Sequence, residues 1–315
     1  MTATLNRIVR PDVEYSVETG HRKIGLGVGA IALMIGIVVV GLGIYAASLV
    51  GTAGEEETLG QVLAVAFGLN TTALVMLKAG IAIILVGILV RIWIRVDSVK
   101  ASLAVLKPDA EVGSYKTGYV ETLSGPATVS AEAPERFPIH KMANTMWAPM
   151  LLMGVMFVVA GLFVSWIWAG NVGTDTGLDA RAWTQGLQFL GEGFVLASIS
   201  FLLASILSGL REGGGEVQEA LGLSVTTLEM PNTAKAFVVL MVTGLMIEVV
   251  QFGLYVYITT FDDVARYTLW SSWLGPFREL GLGLLLAGII LALATIAKAL
   301  GFQFSRIGDI VATGK

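Results

Sequence analysis

Long apolar runs dominate the chain, and within each run the apolar residues are continuous rather than alternating with polar ones. A helix needs roughly 20 apolar residues to cross a hydrocarbon core of about 30 Å. Six stretches reach that length. Strands of a transmembrane barrel would alternate apolar and polar residues, so the pattern favours helices. The predicted spans are Ile24–Val50, Thr72–Ile94, Trp147–Ala169, Trp183–Leu210, Ala236–Thr259 and Leu274–Leu300.

The connections between these spans are alternately short and long, which groups the spans in pairs. The sequence therefore predicts an all-α integral membrane protein with six transmembrane helices arranged as three helical hairpins. Glycine and proline in the first long connection separate short alternating stretches, which predict a small hairpin there. The predicted order is an N-terminal segment, three hairpins with two long connections between them, and a tail: 1–23, 24–96, 97–146, 147–210, 211–235, 236–302 and 303–315.

Basic residues indicate which side of the membrane each connection faces. Lysine and arginine concentrate in the N-terminal segment, the two long connections and the tail, whereas Arg181, Arg266 and Arg278 are the basic residues on the other side. Cytoplasmic loops of multi-pass proteins carry an excess of these residues. Both termini are therefore predicted to be cytoplasmic, in a prokaryotic-type cytoplasmic or intracytoplasmic membrane.

Internal similarity predicts that the hairpin is repeated three times. The segment KAGIAIILVGIL, which begins at Lys78, aligns without a gap on ELGLGLLLAGII, which begins at Glu279. A looser match begins at Glu192. Three hairpins of one orientation are parallel repeats, so their pseudo-threefold axis would lie along the membrane normal. The alternative is that glycine-rich apolar helices resemble each other by composition alone.

Composition excludes several classes of function. The mean hydropathy is +0.78 and 14% of the residues are charged, against roughly 25% in an average soluble domain. The chain has no cysteine, which excludes disulfides, cysteine-ligated zinc and iron–sulfur clusters. No basic run predicts a nucleic-acid partner, and no motif for phosphate binding or hydrolysis is present. We therefore expect no catalytic residues, no cofactor and no metal site.

Five charged or polar residues inside the predicted spans form a candidate cluster: Lys78, Glu192, Glu248, Gln251 and Glu279. A charge at mid-bilayer costs at least ~2.5–3.5 kcal/mol, so such residues usually face the bundle interior with a partner. The repeat puts Lys78, Glu192 and Glu279 at one depth, and Glu248 shares a helical stripe with Gln251. The cluster is interpreted either as an ion pair that fixes helix register or as a proton or cation site.

Three functions follow from these observations. Glycines that recur seven residues apart, such as Gly154 and Gly161, indicate tight packing between helices. Together with the missing catalytic set, they favour a non-catalytic structural or accessory subunit of a larger membrane complex. Its partners would be the lipid bilayer and either other membrane subunits or further copies of the chain. The alternatives are a proton- or cation-conducting channel or transporter that uses the intramembrane carboxylates, and a membrane enzyme acting on a lipid or small apolar substrate.

Overall fold

The computed structural model describes most of the chain beyond the first predicted span. The described ranges are 56–106, 118–122, 125–130, 138–220, 227–228, 231–261 and 263–313, with a few scattered positions between 27 and 48. Apart from those positions, the predicted span Ile24–Val50 lies outside the described residues. The six-span count and the placement of the termini therefore stay predictions.

Five long helices make up the described part of the chain, and each is long and apolar enough to cross a membrane. The protein therefore has the helices of a multi-pass membrane protein, as the apolar runs predict. The helices are α1 Glu56–Leu106, α2 Pro138–Gly170, α3 Asp175–Ala220, α4 Asn232–Ile258 and α5 Val264–Thr313.

Three of the helices extend well beyond the spans predicted for them. Helix α1 has 51 residues, which at 1.5 Å per residue is roughly 75 Å and more than twice the hydrocarbon thickness. The residues after Ile94 include neither glycine nor proline until Pro108, so nothing in the sequence ends the helix at the membrane surface. Helices α3 and α5 likewise continue into segments that the sequence assigns to a connection and to the tail.

Three short strands pair in one antiparallel sheet in the order β1-β2-β3. Strands β1 (Gly118–Thr122) and β2 (Gly125–Ser130) lie in the first long connection, and β3 (Thr227–Leu228) lies in the second. Val129 of β2 is the register partner of Leu228 of β3. The two long connections therefore meet at one end of the bundle, which we call the sheet end.

The two short turns lie at the opposite end, which we call the loop end. Before α3, Gly173 adopts the left-handed φ of 82° that favours glycine. The Thr174 hydroxyl then accepts a hydrogen bond of 3.1 Å from the Gly177 amide and caps the helix. Tyr267, near the start of α5, donates a 2.8 Å hydrogen bond to the Leu178 carbonyl of α3. The α2–α3 and α4–α5 turns are thereby held side by side.

Helix α3 is the centre of the described bundle. It packs against all four other helices, while α1 packs on α2 and α4 packs on α5. Of its most apolar stretch 78% is buried, against 22–39% in the other helices. The faces that the other helices leave exposed are apolar, as expected for surfaces in contact with lipid. An arrangement of three equivalent hairpins about one axis stays a prediction.

Glycines allow two pairs of helices to cross at close range. A methyl group at Gly191 of α3 would lie 2.6 Å from the Gly154 carbonyl oxygen of α2. A methyl group at Gly244 of α4 would lie 2.9 Å from the Gly281 carbonyl oxygen of α5. Gly244 follows Gly154, and Gly281 follows Gly191, by the same number of residues. The two crossings therefore occur at corresponding positions.

Helices α2 and α4 also bury corresponding faces beyond these crossings. The same number of residues separates Val158 of α2 from Glu248 of α4, and Gly161 from Gln251. All four residues are buried. The same helix face is thus apolar in one hairpin and polar in the other.

The close crossing of α2 and α3 predicts that Gly191→Ala lowers stability. The added methyl group would overlap the Gly154 carbonyl oxygen, and overpacking of this kind costs about 1–3 kcal/mol. Thermal unfolding in detergent measures the effect. Gly283→Ala in α5 is the control because no atom lies within 4 Å of its added methyl group, and alanine favours the helix there. Equal melting temperatures for the two variants would contradict the prediction.

Candidate functional site

Glu192 of α3 forms ion pairs with cations from two other helices. The ammonium group of Lys78 in α1 donates a hydrogen bond to Glu192 Oε1. Arg278 Nη2 in α5 lies 3.4 Å from Glu192 Oε2. The Glu192 side chain is 6% exposed, and those of Lys78 and Arg278 are 26% and 25% exposed. One carboxylate therefore connects three helices through both of its oxygens.

Phe189 positions the arginine of this group. The Arg278 guanidinium carbon lies 3.9 Å from the centroid of the Phe189 ring, a cation–π contact that gains strength where water is excluded. Phe189 precedes Glu192 by three residues, so both side chains project from the same side of α3. Helix α3 thus offers Arg278 an aromatic face and a carboxylate together.

Glu248 of α4 lies inside the bundle, close to this ion-pair group. It is 0% exposed, and neither carboxylate oxygen has a hydrogen-bond partner among the described residues. A methyl group at Gly193 of α3 would lie 2.7 Å from Glu248 Cγ, and one at Gly281 of α5 would overlap the carboxylate itself. The side chain therefore occupies a space between α3 and α5 that two glycines leave open.

The charges that face Glu248 come from every helix around it. Glu192 on α3, Arg278 and Glu279 on α5, and Lys78 on α1 all interact with it electrostatically. Both cations are already paired with Glu192. With Glu279, which pairs with Arg278, the group has two cations and two anions while Glu248 is neutral, and ionisation of Glu248 adds a third anion. The two states of Glu248 thus differ in how well the surrounding charges are matched.

Three further polar side chains near this group are buried with unsatisfied atoms. Gln251, three residues after Glu248 on α4, is 1% exposed. Its amide interacts with the Tyr255 hydroxyl, but neither its oxygen nor its nitrogen makes a hydrogen bond of normal geometry with a described residue. On α3, the Thr184 hydroxyl and the Gln188 carbonyl oxygen are also without partners there. The Gln188 amide nitrogen donates a 3.0 Å hydrogen bond to the Gly68 carbonyl of α1. Buried groups of this kind normally bind water or another partner.

The structure brings together four of the five residues that the sequence selects and places the fifth apart. Lys78, Glu192 and Glu248 meet, and Gln251 lies one turn from Glu248. Glu279 differs from the prediction because its side chain is 69% exposed, 3.6 Å from Arg278 Nη1. Neighbouring residues on a helix point about 100° apart, so Arg278 faces inward in its place.

Arg278, Gln188 and Thr184 are absent from the sequence-based cluster. In the sequence analysis Arg278 is counted with the basic residues on the side opposite the cytoplasm, although it lies within the predicted span Leu274–Leu300 and directly precedes Glu279. Thr184 and Gln188 precede Glu192 at intervals of four residues, which is a helical stripe. That spacing could have identified them.

Comparisons with protein-family models, curated proteins and solved structures found no match for this chain. Among the described residues, no three histidine, cysteine, aspartate or glutamate side chains come together in an arrangement that could hold a metal ion.

The ion pairs predict that Glu192→Gln lowers the free energy of unfolding by about 3–5 kcal/mol, because it leaves Lys78 without its counter-charge and Arg278 with only the exposed Glu279. Denaturant unfolding in detergent gives this quantity. Glu279→Gln is the matched control, and we expect it to change stability by less than about 0.5 kcal/mol because that side chain is exposed. A Glu192→Gln variant as stable as the control would show that the ion pairs do not stabilise the fold.

Proposed function

We propose that this protein is a multi-pass membrane protein that binds and releases a proton at Glu248, as part of a proton-transport activity. The observation that carries the proposal is a fully buried carboxyl group whose two oxygens have no hydrogen-bond partner among the described residues. The paired cations Lys78 and Arg278 set the charge around it. We place the protein in a prokaryotic-type cytoplasmic or intracytoplasmic membrane.

The cost of burying a carboxylate is the first argument for this function. An ionised carboxylate inside a protein loses several kcal/mol of hydration, which only good partners offset. In a membrane, intramembrane acids typically belong to ion or proton pathways. Proton binding removes the charge, and the attraction of Lys78 and Arg278 offsets part of the cost of the ionised form after release. Glu248 therefore has a physical reason to exchange a proton.

A comparison within the chain is the second argument. Val158 occupies the position in α2 that corresponds to Glu248 in α4, and it is equally buried. An apolar residue is therefore sufficient for packing at this position of a helix. A carboxyl group in the same position of α4 adds a polar group whose oxygens have no hydrogen-bond partner among the described residues. This favours a role in chemistry over a role in packing.

A proton fits this site better than a metal cation. Hard metal cations take six or more oxygen ligands, whereas Glu248 and Gln251 together offer three side-chain oxygens. Lys78 and Arg278 also bring two positive charges close to the site, which disfavours a further fixed cation. A proton needs only the carboxyl group itself. We therefore choose the proton, and a sodium-type cation becomes an outcome of the test.

A second candidate is a non-catalytic structural or accessory subunit that works with other membrane subunits or further copies of the chain. The observation in its favour is that Glu192 connects α1, α3 and α5 through both carboxylate oxygens. Such a connection fixes helix register whether or not Glu248 exchanges a proton. Native mass spectrometry of the gently extracted protein is the corresponding measurement, and a defined complex with other subunits would favour this candidate.

The proposal predicts a carboxylic-acid band in infrared difference spectra that changes with pH and disappears in Glu248→Gln. The experiment uses the full chain reconstituted in lipid. Glutamine keeps the size of the side chain but cannot ionise, so the fold is retained while the proton site is lost. Glu248→Asp keeps a carboxyl group and should retain a titrating band at a shifted position.

Glu279→Gln serves as the control in this experiment because it removes an exposed carboxyl group of the same type. Its buried-carboxyl band should be retained, with a shifted titration because Glu279 acts electrostatically on Glu248. A spectrum in which Glu248→Gln matches the unmodified protein would overturn the proposal. A band that titrates with sodium at constant pH would show that the site binds a metal cation.

A further inference from the structure

We infer that Thr184 and Gln188 bind a file of water molecules that connects the buried charge group with the loop end of the bundle, while the sheet end is closed by apolar packing. The inference rests on the proposed function because it supplies the route by which protons reach Glu248. It adds two water-binding residues and assigns one end of the protein as the end of access.

The first observation is the alignment of three polar residues on α3. Thr184, Gln188 and Glu192 are spaced four residues apart, so each lies about 6 Å further along the helix and on the same face. Thr184 and Gln188 are both 0% exposed, and Glu192 is 5% exposed. The stripe leads from the loop end of α3 directly to the carboxylate that pairs with Lys78.

The second observation is that the stripe has acceptors with no partner in the part of the chain that the structure describes. The Thr184 hydroxyl and the Gln188 carbonyl oxygen are buried without a hydrogen bond to any described residue. A buried polar group left without a partner costs about 1–3 kcal/mol. Water is the ordinary ligand of such groups when several of them lie close together. Both groups can accept a hydrogen bond from water, and the hydroxyl can also donate one.

Contacts from α1 and α2 hold Gln188 in place. Its amide nitrogen donates to the Gly68 carbonyl oxygen at 3.0 Å, which fixes the direction of the carbonyl oxygen at the other side of the amide. A methyl group at Gly161 of α2 would lie 2.5 Å from Gln188 Cγ, so the absence of a side chain there makes room for the glutamine. The side chain is therefore positioned by two neighbouring helices.

The third observation concerns the direction of the unsatisfied groups. Among the described residues, the buried hydroxyl, carboxyl and amide groups without a partner belong to Thr184, Gln188, Glu248 and Gln251. Thr184 and Gln188 precede Glu192 on α3, and Gln251 follows Glu248 on the antiparallel α4. All three thus lie between the charge group and the loop end.

A buried apolar cluster also lies at the loop end, where Phe189, Tyr255 and Tyr267 pack between α3, α4 and α5. The water file would therefore follow the side of α3 that faces α1 and α2, where Gln188 has its contacts.

The side of the sheet end differs in its polar groups. Buried serines there have their hydrogen bonds satisfied within the helix, as Ser200 donates to the Leu196 carbonyl and Ser205 donates to the Phe201 carbonyl, both at 3.0 Å. Large apolar side chains fill the space between the helices. They form one buried cluster that includes Leu89, Leu196, Leu202, Leu203, Phe237, Met241 and Leu285. Dry apolar packing of this kind leaves no polar partners for water.

The natural absence of cysteine makes the test direct. Single cysteines are introduced at Thr184 and at Gln188 in the full-length protein, in sealed vesicles, and a small membrane-impermeant thiol reagent is added from one side at a time. Ser200→Cys is the matched control because it is a near-isosteric change at a buried position of the same helix, beyond the charge group. Thr174→Cys reports the loop end, and Lys235→Cys reports the opposite end, since both residues are exposed.

We expect Thr184→Cys to react an order of magnitude faster than Ser200→Cys, and only from the side that labels Thr174→Cys. Gln188→Cys should react from the same side and more slowly, because it lies one turn deeper. Labelling of Thr184→Cys no faster than Ser200→Cys, or labelling from the Lys235→Cys side, would overturn the inference.

The outcome is separable from that of the infrared experiment. Labelling from the loop end with an unchanged infrared band in Glu248→Gln would support the water file and reject the proton site. A band that disappears in Glu248→Gln, without labelling at Thr184→Cys or Gln188→Cys, would support the proton site and reject this route to it.

Discussion

The pairing of Glu192 with two cations is the interaction around which the described bundle is organised. Helix α3 is surrounded by the other four helices, and a lone charge on such a helix would be very costly in lipid. Lys78 and Arg278 remove that cost by approaching from opposite neighbours, α1 and α5. Their long side chains reach the carboxylate while remaining partly exposed, so their own loss of hydration is limited. The charge group therefore fixes the relative positions of three helices at one depth.

Glycine determines how closely the helices can surround this group. Between apolar helices in lipid there is little hydrophobic driving force, so association depends on close van der Waals contact. Gly191 and Gly281 permit backbone-to-backbone crossings, and Gly193 together with Gly281 leaves the space that the Glu248 carboxyl group occupies. The same small residues thus serve packing and create the site. A side chain at any of these positions would displace either a helix or the carboxyl group.

The distribution of satisfied and unsatisfied polar groups gives the bundle two unlike ends. Near the sheet end, serine hydroxyls donate to carbonyls of their own helix and large apolar side chains pack between the helices. Near the loop end, amides and a hydroxyl are buried without described partners. A buried apolar cluster also lies at the loop end, between α3, α4 and α5. The ends therefore differ in their unsatisfied polar groups, and this difference is the physical basis for the direction of the proposed route.

The sequence by itself determined that the chain forms long helices that are apolar enough to cross a membrane, since continuous apolar runs of this length admit few other structures. It also identified Lys78, Glu192 and Glu248, because charges inside such runs are rare and need partners. Only the tertiary structure decided that α3 is central and that Arg278 rather than Glu279 faces inward. It also decided that Glu248 has no hydrogen-bond partner among the described residues, while Val158 occupies the corresponding position of α2. A difference of one residue rotates a side chain by about 100°. Which rotation is inward depends on the neighbouring helices, and no pattern within one helix contains that information.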